Sequence, residues 1–171
     1  MPGYRRYFED NDVVFLTLVT AGRRPWLRHK RDKSHLLGCL REIKGQHRHR
    51  HFAHVILDDH LHWLVQCLEG ETPSVLVARF KQNVFHSRRA KGWTCRDLWQ
   101  PRFYDHIIRD ERDFCTHMDY IHYNPVHHGY VAMVRQWRWS SFHTWLARGH
   151  YTPCWGTREP HAPPETGEPH P

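Results

Sequence analysis

The sequence predicts an α+β fold, a ferredoxin-like antiparallel sheet with helices on one face and extra helices toward the C-terminus. Three observations carry this. Segments of strand and helix periodicity alternate in the order strand, helix, strand, strand, helix, strand. Two of the strands are separated only by Asp58-Asp59, a spacing that forces an antiparallel hairpin. The chain has 171 residues, 39% of them apolar, which is enough for one domain with a core of its own.

The elements follow in order. Val13 to Thr20 (VVFLTLVT) is a β-branched apolar run and reads as a strand, broken by Gly22 and Pro25. Leu36, Leu37, Leu40 and Ile43 recur at helical spacing, so Ser34 to Ile43 reads as a helix that Gly45 ends. Phe52 to Leu57 and His60 to Leu68 are the hairpin strands. Thr72-Pro73 starts the second helix, with Thr as cap and Pro in the first turn, and Leu76, Phe80 and Val84 face the core. Part of Leu98 to Ile108 supplies the fourth strand. Asp110 caps a helix expected to stop at Asn124, because Pro125 disfavours helical backbone in the residue before it. Trp137 to Leu146 reads as a final aromatic helix, with Trp137, Trp139 and Phe142 as its docking face.

Residues 1–150 are expected to form a single domain. After Tyr151 the composition shifts to proline, and 151–171 is expected to be a flexible tail. Its charge, Arg158 against Glu159, Glu165 and Glu168, suits a cover over a basic groove better than a phosphate clamp. The whole chain carries a formal net charge of +7, which favours a polyanionic partner. No secretory signal or membrane span is read, so a cytoplasmic protein is expected. The five cysteines form no C-x-x-C pair, which argues against a zinc ribbon and against a disulfide framework.

His60 and His62 alternate with Leu61 on one strand, so both imidazoles point to one face and can hold a divalent metal. With 18 histidines in the chain, chance supplies roughly two H-x-H pairs, so the motif needs support. His47-x-His49 and His49-x-His51 lie among arginines and read as a solvated face. The support for His60 and His62 is the helix after Asp110. Phe114, Met118 and Ile121 form its apolar line, and Asp113, His117, Tyr120 and Asn124 form a neighbouring one. Tyr120 and Asn124 are four residues apart, which sets a phenol beside an amide oxygen able to complete a metal site. An oxygen ligand and a phosphate substrate favour Mg²⁺ or Mn²⁺, whereas histidines alone also suit zinc.

Four segments, VILDDHLHWLVQ, WQPRFYDHIIRDERD, YIHYNPVHHGYV and WRWSSF, resemble in this order the REP-associated tyrosine transposases, a branch of the one-tyrosine HUH nucleases. The likeness runs from about Val13 to Trp145. It implies a ferredoxin-like sheet, metal-binding His60 and His62, Tyr120 as nucleophile and Asn124 as third ligand, where many relatives carry Gln. It also implies cleavage and rejoining of single-stranded DNA beside hairpins called repetitive extragenic palindromes, through a 5′-phosphotyrosine, by a monomer on the bacterial nucleoid. A composite site from two chains is the alternative. Tyr104 and Tyr123 compete with Tyr120 for the nucleophile's role.

Arg79, Lys81, Arg88, Arg89 and Lys91, on or just after the second helix, are expected to contact phosphates. Arg5 and Arg6, with Tyr4 and Tyr7, make a second basic and aromatic patch suited to stacked bases. Two rival readings stay open: a non-catalytic single-stranded nucleic-acid binder, and a metal hydrolase that activates water at His60 and His62.

Overall fold

The computed structural model describes residues 8–95, 97–160, 164 and 166. In chain order it has β1 (Val13–Val19), α1 (Lys30–Gln46), β2 (His49–Ile56), β3 (His60–Cys67), α2 (Pro73–Ala90), β4 (Tyr104–Ile107), α3 (Glu111–His127) and α4 (Phe142–Ala147). The strands pair antiparallel in the order β2-β3-β1-β4, the ferredoxin-like arrangement the element order predicted. Arg5 and Arg6, with Tyr4 and Tyr7, lie outside the described residues.

Alternation along β1 divides the interior into two cores. Val14, Leu16 and Leu18 pack with Leu36, Leu40 and Ile43 of α1 and with Leu76, Phe80 and Val84 of α2. Phe15 points to the opposite face, where it meets Met118, Tyr120 and Ile121 of α3. The helices α1 and α2 cover one face as expected, and the additional helix α3 closes the other. The sheet is therefore buried on both sides, and anything between it and α3 is held by packing rather than by loops.

Local chemistry explains most boundaries. The Thr72 side chain accepts a hydrogen bond from Val75 N at 3.3 Å, and Pro73 opens α2. Asp110 caps α3 by accepting from Asp113 N at 2.8 Å. The α1 helix starts at Lys30 and passes through Gly45 to Gln46. A helical glycine costs about 1 kcal/mol, less than a packed apolar face returns. The α3 helix does not stop at Asn124. It runs on through Pro125 to His127. So near the end, the proline forfeits a single intrahelical bond, and the carbonyls of Asn124 and Pro125 accept from His128 N and Tyr130 N.

The solvated face expected at His47, His49 and His51 is not there. His49 and His51 lie in β2, and His49 is buried. A β-bulge between His51 and Ala53 shifts the register, with His51 opposite Val65 and His54 opposite Trp63. The extra residue turns His51 and His54 to the same face, which strict alternation would not allow.

The chain after α3 packs on the second core. Trp137 is buried and donates from Nε1 to the Ile56 carbonyl at 3.1 Å, and Phe142 is fully buried. Beyond α4, Trp155 packs against Tyr151 and Phe142 with ring centroids 4.4 and 5.8 Å apart. The stretch 151–171, expected to be a flexible tail, contributes Trp155 to the packing on this core. A single bulky aromatic supplies this anchor within a proline-rich stretch. Among the described residues, no helix is long and apolar enough to cross a membrane.

Candidate active site

The β2–β3 turn is fixed from three sides. Leu57 N donates to the His60 carbonyl at 2.9 Å, closing a two-residue loop over Asp58 and Asp59. Lys33 of α1 is buried and bonds to Asp58 and to the carbonyls of Leu27 and Arg28. Asp59 receives Arg23 Nη1 at 3.2 Å and His60 Nδ1 at 2.7 Å. Burial raises the Asp59 pKa, but the His60 and Arg23 contacts outweigh it, so the carboxyl titrates below its usual range. As a carboxylate it can only accept, so His60 Nδ1 carries the proton and Nε2 is the nitrogen with a lone pair.

His62 is oriented in the same way by a different partner. The Thr17 hydroxyl donates to the Thr166 carbonyl at 2.8 Å. Its oxygen lies 3.0 Å from His62 Nδ1 and, with its own proton committed, accepts from that nitrogen. Nε2 of His62 then also bears the lone pair. The two rings lie 4.9 Å apart between centroids, and both are buried. Holding each Nδ1 in a hydrogen bond sets the tautomer that a metal ligand needs.

The α3 helix places Tyr120 over this pair. Its ring centroid lies 5.4 Å from that of His62, and Phe15 packs against both rings. Tyr123 turns instead toward Gly156 and Val134. Asn124, one helical turn beyond Tyr120, is fully buried, and neither its Oδ1 nor its Nδ2 has a hydrogen-bond partner among the described residues. Each such orphan costs about 1–3 kcal/mol. A buried amide with neither end satisfied, one helical turn from a tyrosine that packs on His62, together with two imidazoles whose Nδ1 atoms are held, is a set of donors that suits a divalent cation. Tyr120 itself is only 8% exposed.

The structure adds side chains that sequence reasoning missed. The His128 ring centroid lies 5.4 Å from that of His60, and His127 lies 6.3 Å from Tyr120. Both come after Pro125, where the helix was expected to have ended. His106 of β4 and Asp113 and His117 of α3 form a second group that could hold a metal ion. Within it His106 Nε2 is 2.8 Å and His117 Nδ1 3.1 Å from the Asp113 carboxylate. Burial alone would raise the Asp113 pKa, but bonds from His106 and Arg109 take it down to about 2. Asp113 is thus already bonded by both histidines, while His117 Nε2 is buried with no hydrogen-bond partner among the described residues. The i,i+4 spacing of Asp113 and His117 was the available signal.

The basic run of α2 needs correction. Arg88 is buried, pairs with Asp32 at 3.2 Å and stacks over Trp93 and Trp26, so it belongs to the interior rather than to a DNA surface. A long aliphatic stem and a flat guanidinium let arginine fill such a slot between two indoles. Arg79, Arg89 and Lys91 are exposed, and Lys81 donates to the Gln100 carbonyl. All belong to or just follow α2, on the face of the sheet opposite Tyr120.

A ferredoxin-like sheet that presents paired histidines to a helix tyrosine defines the class of single-tyrosine strand-transfer enzymes. The model of the family described as transposase IS200 like matches residues 13–124, the span from β1 to Asn124. The chain belongs to this family, in its REP-associated tyrosine transposase branch. It is 33% identical to a putative REP-associated tyrosine transposase of Haemophilus influenzae over 91% of this chain and 94% of that one. It is equally 33% identical to the REP-associated tyrosine transposase of Escherichia coli K12, over 91% of each. A solved REP-associated tyrosine transposase bound to a REP hairpin superposes with a TM-score of 0.86 at 31% identity, covering 99% of both chains.

Proposed function

We propose that this enzyme cuts and rejoins single-stranded DNA at hairpins of repetitive extragenic palindromes, with Tyr120 as the nucleophile and His60, His62 and Asn124 holding Mg²⁺ or Mn²⁺. The observation that carries the reading is the packing of Tyr120 on His62, with the unsatisfied Asn124 amide one helical turn further along α3. The likeness to a hairpin-bound relative supports the substrate.

A phenol with a pKa near 10 is a weak nucleophile at neutral pH and needs a polarised, oriented phosphate. The bound cation would supply that polarisation. The chain's own residues do the rest. Asp59 and Thr17 fix the two imidazoles, the rigid α3 backbone fixes Tyr120, and Phe15 packs beneath its ring. Tyr120 Oη bonds to the scissile phosphorus as the bond to O3′ breaks. The phenol proton is given up, O3′ is protonated, and a 5′-phosphotyrosine and a free 3′-hydroxyl result. The ester keeps the bond energy, so rejoining needs no nucleotide cofactor. One tyrosine cuts one strand, which suits single-stranded substrate and a monomer in the bacterial cytoplasm, working on the nucleoid.

Incubation of 3′-labelled hairpin DNA with protein and Mn²⁺, followed by denaturing electrophoresis, tests this. Wild type is expected to give a covalent adduct and Tyr120→Phe none, with DNA binding retained. Cut DNA without adduct would identify a water-using hydrolase. Binding with neither product would identify a non-catalytic binder. Adduct at wild-type yield from the Phe variant would move the nucleophile to Tyr104 or Tyr123.

A further inference from the structure

A cleft of about 370 Å³ opens at the β2 edge, between the end of α1 and α4. Its volume is in the range of sites for drug-sized ligands, roughly 300–1,000 Å³. It is separate from the tyrosine site. His54 pairs in register with Trp63, whose side chain lies in the core beneath α1 and α2, whereas Tyr120 lies across the sheet. Arg41, Lys44, Arg138 and Arg148 line the cleft together with His54 and Trp145. All four cations are exposed. Among the described residues that line it, none is acidic.

The histidine is the second, independent observation. Trp63 Nε1 can only donate, and it donates to His51 Nδ1 at 2.9 Å. His51 therefore carries its proton on Nε2, which lies 2.9 Å from His54 Nδ1. His54 Nδ1 accepts that proton's hydrogen bond, so the neutral His54 ring must hold its own proton on Nε2. Burial holds both imidazoles neutral, His54 with a pKa of about 3. The Nε2–H of His54 is buried and has no acceptor among the described residues. The residue is 9% exposed. A chain of three side chains thus leaves one unsatisfied donor on a histidine that lines a cleft ringed by four cations. Such a site lacks one thing, an anionic acceptor.

We propose that this cleft binds a backbone phosphate of the hairpin DNA, the His54 Nε2–H and the surrounding arginines donating to its oxygens. This rests on the reading of the enzyme as a DNA strand transferase. It gives the enzyme a second contact, which anchors the hairpin at the β2 edge while the strand to be cut enters the tyrosine site. A phosphodiester fits because it is a polyanion's repeating unit, it is acceptor-only, and its planar pairs of oxygens match guanidinium forks.

The test uses the full chain and the double variant Arg138→Gln/Arg148→Gln, both changes at exposed positions. Hairpin affinity is read by fluorescence anisotropy across a salt series, and cleavage is read in single turnover at saturating DNA. The variant is expected to bind at least tenfold more weakly at ~100 mM salt and to lose roughly 0.7–0.9 of the log–log salt slope for each phosphate contact removed. Its cleavage rate at saturation stays that of wild type, because neither residue touches the scissile site. In ¹⁵N-histidine spectra of wild type, the hairpin is expected to shift the His54 Nε2–H resonance. Unchanged affinity and slope in the variant overturn the proposal. A His54 shift produced by inorganic phosphate but not by the hairpin also overturns it, in favour of a free-anion site. If wild type binds the hairpin in this way but forms no adduct, the strand-transfer reading fails and the cleft assignment stands.

Discussion

Asn124 carries, at the scale of one residue, a local cost that the proposed metal-binding role would offset. Its amide is fully buried with both ends unsatisfied, whereas nearby polar groups are paired: Asp59 with His60, Thr17 with His62. Replacement by an apolar residue of similar volume removes that cost. Asn124→Leu is therefore expected to be at least as stable as wild type in EDTA, by up to about 1–2 kcal/mol in urea unfolding. It is also expected to lose metal-dependent cleavage by orders of magnitude. Mn²⁺ should raise the wild-type melting temperature and leave that of the variant unmoved. A less stable variant, or one that keeps its cleavage rate, would show that the amide has a structural partner and no ligand role.

Among the elements, β2 is the least ordinary. An edge strand carrying His49, His51 and His54 would be a poor core strand if the rings were charged, and in all three the pKa is lowered by burial. His54 also faces His122 and Arg41, and His51 faces Lys44, which act in the same direction. The unfolded chain takes up protons near pH 6.5, while folded His54 stays neutral down to about 3. Stability is thus full above pH 6.5 and falls as pH drops through that window, by about 1.4 kcal/mol per pH unit for each such group. Urea midpoints at pH 7 and pH 5 are expected to show a marked loss for wild type. His54→Asn, whose amide oxygen replaces Nδ1 as acceptor, is expected to show a smaller loss between the same two pH values. Equal losses in the two proteins would mean that His54 is protonated in the folded state.

The whole molecule is two cores about one sheet, with the C-terminal segment laid on the second. Contacts at different depths tie that segment down. Trp155 packs on Tyr151 and Phe142, and the Thr166 carbonyl accepts from Thr17, the residue that orients His62. Glu159 also reaches His127 at 3.1 Å. Two truncations separate the roles. A stop after Tyr151 removes Trp155 and is expected to lower the melting temperature by several degrees, since burying such a ring is worth roughly 1.5–3 kcal/mol. A stop after Pro160 keeps Trp155 and removes Thr166. Stability is then expected to change little, while cleavage at low salt rises, because Thr166 no longer covers Thr17 and water can take the place of its carbonyl as the acceptor that keeps the His62 tautomer. Identical melting temperatures for both truncations would show that Trp155 contributes nothing.

What the chain's order of residues determined by itself was whatever depends on neighbours in sequence. Periodicity gave the strand and helix order, and with it the ferredoxin-like sheet. Alternation put His60 and His62 on one face, and helical spacing put Tyr120 a turn before Asn124. The ordered motifs gave the family. Tertiary structure decided whatever depends on packing against something distant. The bulge that turns His51 and His54 together exists because β2 must register with β3. The helix passes Pro125 and carries His127 and His128 to the site because the loss of one hydrogen bond near its end is small beside the burial of its face. Arg88 looks like its exposed neighbour Arg89 in sequence, and only the arrangement of Trp26, Trp93 and Asp32 makes it an interior group. Charge is a property of the residue, but whether that charge meets DNA or a tryptophan is a property of the fold.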